Sequence, residues 1–148
     1  MQYNYNHIFL ENRQISNTSA IRWSCFTAMV IGIAWIFTLF HIISVPALAF
    51  QIIAPVSIFI LLLPAVVNHL MHLSDILLVG LKGINLLTGL ILGCNLTAVF
   101  LLSSTLSHYA SIIWLLPTLI ACQYYSKRIT SHIFLGGFVG MILSFYVS

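Results

Sequence analysis

Apolar residues run through this chain in long unbroken stretches, separated by short polar breaks. The stretches are continuous rather than alternating, so they read as helices and not as the strands of a barrel. Five can be drawn, at about Ile21 to Ile43, Ala47 to Asn68, Ile76 to Leu102, His108 to Tyr125 and Ser131 to Val147. Each reaches the roughly 17–25 residues with which a helix crosses a hydrocarbon core. Ser44-Val45-Pro46 marks the first reversal, where proline suits a tight turn. His69 to Asp75 forms the second, with Ser74 or Asp75 as helix N-cap. Ser103, Ser104, Thr105 and Ser107 mark the third, and Tyr124, Tyr125, Lys127 and Arg128 make an aromatic and basic collar at the fourth. Pro55 and Pro64 predict a kinked second span, and Pro117 interrupts the fourth. The last span is the shortest, and a four-span version omits it.

Composition fixes the solvent. The 148 residues are 61% hydrophobic and 5% charged, with a mean hydropathy of +1.09. A soluble domain carries roughly a quarter of its residues charged, so the medium here is lipid. The expected fold is an all-α polytopic transmembrane bundle at residues 21–148, preceded by a polar cytoplasmic segment at 1–20. That segment lacks the basic start and apolar run of a cleaved signal peptide, so the first span is expected to act as an uncleaved anchor. Tyr3, Tyr5, Ile8, Phe9 and Leu10 within it suit a disordered tail and a docking segment equally.

Charge suggests orientation. The basic residues are Arg13, Arg22, Lys82, Lys127 and Arg128. Five spans put all of them on or nearest one side, and the positive-inside rule makes that side cytoplasmic, with the C-terminus outside. A net charge of +3, scattered along the chain, does not suit a nucleic-acid partner. Cys25, Cys94 and Cys122 fall inside spans without CxxC spacing and read as small packing residues. Asn17-Thr18-Ser19 and Asn95-Leu96-Thr97 fit the glycosylation pattern, but neither is expected to be modified in this orientation.

Little in the chain suits catalysis. The only acids are Glu11 and Asp75, and no nucleophile elbow, Walker loop or dinucleotide fingerprint accompanies them. The candidate interior face lies on the third span, where Lys82, Asn85, Gly89, Gly93 and Thr97 fall within about 120° at 100° per residue. Gly89-xxx-Gly93 lets helix backbones approach closely, so this face reads as a packing seam or as the polar lining of a path. Lys82 reads first as a side chain that snorkels to the cytoplasmic interface. Gly136 and Gly140, with His132 and Ser144 on the same ridge, make a second seam.

The histidines sit at span ends, where amphipathic rings suit the interface. Haem ligation is the alternative, through His41 with His108 or His69 with His132. No cofactor is the first expectation, and no metal site is drawn. The function expected first is a small non-catalytic subunit of a transport, secretion or respiratory assembly, whose partners are the bilayer and other membrane subunits. A homo-oligomeric carrier or channel using the third-span face is the alternative. An electron-transfer subunit associated with haem or quinone is a further one.

Overall fold

A computed structural model of the chain describes residues 2–42, 47–73, 81–105, 115–124 and 126–147. Among them are five helices and no strand: α1 (Gln2–Leu39), α2 (Ala47–Leu73), α3 (Leu81–Ser103), α4 (Leu115–Cys122) and α5 (Lys127–Val147). Three segments are long and apolar enough to cross a membrane, Leu10–Leu39, Ala49–His72 and Lys82–Ser103. Arg128–Leu143 is a shorter apolar helix. The first part of the expected fourth span, through residue 114, lies outside the described residues, as do Ser74 and Asp75, whereas His69 to Leu73, expected in the second connection, continue α2.

The first helix is longer than its apolar run predicts. At about 1.5 Å per residue, its 38 residues extend about 57 Å, well beyond a hydrocarbon core of about 30 Å. Residues 2–20, set apart above as a polar segment, are its first turns. They remain helical because Arg13, Ser16 and Asn17 find partners on the bundle, as described below. At its other end α1 stops in a Schellman arrangement. The Ile42 N–H donates to the Phe37 carbonyl at 3.0 Å and the His41 N–H to the Thr38 carbonyl at 3.1 Å. His41 takes the left-handed position this requires, with φ of 56°.

Pro55 and Pro64 both lie inside α2, which nonetheless continues as one helix. Pro55 has no N–H to offer the carbonyl one turn back, at Gln51. The Trp35 indole of α1 donates to that carbonyl at 3.3 Å. A side chain of the neighbouring helix thus supplies the bond that the proline removes, as lipid-embedded prolines require.

Helix directions alternate. Trp35 meets Gln51, while Ala20 and Ile21 share a cluster with Met71, so α1 and α2 are antiparallel. Contacts between α1 and α3 advance together along both helices, so these two are parallel. On α5, His132 and Ile133 lie level with Leu92, and Gly136 lies beside Leu96, so α5 also runs parallel to α3. α3 is the hub, packing against each of the other four helices. Its core has three layers: Ile91 and Leu87 with Met71, Ile120 and Ile133; Ala98 with Ala28 and Leu61; and Leu102 with Phe50 and Ala54.

Candidate functional site

The polar residues of this bundle are concentrated where α1 meets α3. On α3, Ile84, Thr88, Ile91, Asn95, Ala98 and Leu102 are all buried. They recur in alternating steps of four and three, the spacing of a heptad seam between parallel helices. Asn17 and Ser24 are seven residues apart on α1, as are Thr88 and Asn95 on α3. One offset of 71 residues therefore pairs both sets. The two polar rungs lie about 10 Å apart along the helices, from a rise of about 1.5 Å per residue.

Each rung is satisfied. Asn95 Nδ2 donates to Ser24 Oγ and to the Ile91 carbonyl, both at 2.8 Å. Ser24 Oγ in turn donates to the Ala20 carbonyl at 3.0 Å. In the other rung Asn17 Oδ1 accepts from Thr88 Oγ1 at 2.9 Å, and Asn17 Nδ2 donates to the Ile84 carbonyl at 3.3 Å. Beyond it, the Arg13 guanidinium donates to Asn85 Oδ1. Ser16 Oγ lies 3.2 Å from the Gln123 carbonyl in the turn between α4 and α5. In lipid the alternative to such a bond is an unsatisfied polar group in hydrocarbon, so these contacts hold the polar half of α1 against α3.

The face expected to point into the bundle points out of it. Lys82, Asn85, Gly89, Gly93 and Thr97 are all exposed in this chain. A Cβ built on Gly89 or Gly93 meets nothing within 4 Å, so no other described helix approaches them. Thr97 Oγ1 returns its hydrogen bond to the Gly93 carbonyl of its own helix at 2.9 Å. The bundle uses the opposite side of α3 because the larger residues and the pairable polar groups lie there. The second glycine seam divides: Gly137 and Gly140 are buried, whereas Gly136 and His132 are exposed.

The histidine pairs are not assembled among the described residues. His41 is exposed at the end of α1, where it caps the helix, and His108 lies outside the described residues. His69 and His132 are exposed on α2 and α5, helices that pack chiefly on other neighbours. No group of three His, Cys, Asp or Glu side chains gathers among the described residues.

Sequence reading missed the rungs. Asn17 and Asn95 attracted notice only as glycosylation triplets, yet they are 2% and 1% exposed. The matched seven-residue spacing of polar residues on two spans was the available signal. Beside Asn95 lies an apolar cleft of about 210 Å³, bounded by Val30, Phe50, Leu102 and Leu116. Its aliphatic walls suit hydrocarbon rather than an ion. Comparison with protein-family models, curated proteins and solved structures finds no match to this chain.

Proposed function

We propose that this chain is a small non-catalytic subunit of a larger membrane assembly, acting through helix packing and crossing the bilayer five times. The observation that carries this reading is the outward face of α3. Gly89 and Gly93 leave a shallow strip with no other described helix against it, and small residues are what allow a second helix to approach closely in lipid. The interior polar groups Asn17, Ser24, Thr88 and Asn95 are meanwhile engaged in holding the bundle together.

Orientation belongs to the same proposal. The parallel directions of α1, α3 and α5 put Arg13, Lys82 and Arg128 toward the same end, with Arg22 about three turns beyond Lys82. The positive-inside rule makes that end cytoplasmic. Trp23, exposed beside Arg22 and edge-on to Phe26, suits the aromatic belt at that level.

Purification in mild detergent tests the subunit reading. Stoichiometric partners are expected, and a cysteine replacing Gly93 should crosslink to one of them. A monodisperse, fully active chain without partners would overturn it. A second reading rests on the same face, since Lys82, Asn85 and Thr97 could line a path only between copies of the chain. In a homo-oligomeric carrier, reconstituted flux should fall in Lys82→Ala and Asn85→Ala. Unchanged flux removes that path.

A further inference from the structure

The groove between α3 and α5 has a different character from the glycine strip beside it. It encloses about 270 Å³ and is lined by Leu92, Arg128, Ile129, His132 and Ile133. Its floor is aliphatic and its mouth is basic. Arg128 and His132 stand one turn apart on α5, and both are exposed. The His132 ring Nδ1 donates to the Arg128 carbonyl at 2.6 Å, which fixes the ring and leaves Nε2 free of that bond. One turn beyond the groove's lining, Gly136 of α5 faces Leu96 of α3. There a Cβ would meet only Leu96 Cδ1, at 4.0 Å, so the path stays open.

A basic mouth above an aliphatic floor, on a surface facing lipid, matches an anionic phospholipid. We infer that this groove binds one, with its phosphate at Arg128 and His132 and an acyl chain along Leu92, Ile133 and the gap at Gly136. A guanidinium presents paired donors that fit phosphate oxygens, and basic pockets between membrane helices on the cytoplasmic side hold anionic headgroups. Measured along α1, the groove lies where the polar turns meet the apolar run, although along α3 Leu92 is midway through Lys82–Ser103. The registers that link α1 to α3 and α3 to α5 set His132 beside Leu92 and near the level of Arg22 and Trp23. Choline-bearing lipid presents a cation to Arg128 and is held less well. The inference rests on the orientation proposed above but not on the subunit reading, because the groove is formed by this chain alone.

Native mass spectrometry of the full chain in mild detergent provides the test, with phosphatidylglycerol, phosphatidylcholine or inorganic phosphate added. Phosphatidylglycerol should remain bound after phosphatidylcholine has dissociated, and inorganic phosphate should not displace it. The double variant Arg128→Ala/His132→Ala should weaken retention about tenfold, equivalent to about 1.4 kcal/mol. Arg22→Ala should retain lipid as the parent does. Gly136→Leu keeps both basic groups while filling the acyl path, and it should also lose lipid. Equal retention of the two phospholipids, displacement by free phosphate, or full retention by the double variant would each overturn the inference.

Discussion

The two faces of α3 carry similar residues and do opposite things. Thr88 and Asn95 on one side are buried in bonds to α1. Gly93 and Thr97 on the other side are exposed, as is Asn85 at its edge, where Arg13 of α1 donates to it. A polar side chain in a membrane helix therefore does not reveal which way the helix faces. What decides is whether a partner stands opposite at the right register. Thr97 satisfies itself on its own helix, a solution open to any Thr one turn past a carbonyl. Asn95 cannot do so completely, since one amide hydrogen reaches Ile91 and the other needs Ser24.

Substitutions on the two faces should separate these roles. The largest effect is expected from Asn95→Asp, which puts a carboxylate at a site 1% exposed. It should cost about 3 kcal/mol or more, measured by SDS titration in mixed micelles. A loss no larger than that of Asn95→Ala would argue against a buried charge.

Asn95→Ala should cost about 1–2 kcal/mol, from the lost rung and the space it leaves. Thr88→Val keeps the shape and removes the hydroxyl that Asn17 accepts from, at about 0.6 kcal/mol. Smallest is Gly93→Ala on the outward face. Nothing opposes the new methyl, and alanine is the better helix former by up to about 1 kcal/mol, so the isolated chain should be unchanged or slightly stabilised. Recovery of partners should nevertheless fall. If Gly93→Ala destabilised the isolated chain as much as Asn95→Ala, the contrast between the faces would fail.

Much of this bundle was legible because its elements are set by local physics. The starts of α2 and α5 lie close to the expected ones, because apolar length and polar breaks are properties of consecutive residues. The beginning of α1 was not. Its polar turns lack the apolar run that marks a span, and their helicity depends on partners on α3 and in the α4–α5 turn. The glycine strip was found, but not its exposure on this chain. Periodicity groups Lys82, Asn85, Gly89, Gly93 and Thr97 on one face without saying what lies opposite.

By itself the sequence determined a helical membrane chain, the positions of most of its breaks and the scarcity of charge that suits lipid. Those follow from the free energy of each segment in water or hydrocarbon, which depends on that segment alone. Only the tertiary structure decided that Asn17 faces Thr88, that Ser24 faces Asn95 and that Trp35 supplies the carbonyl freed by Pro55. Each of these depends on the register between helices. In lipid that register is set by which polar groups can satisfy one another across the seam.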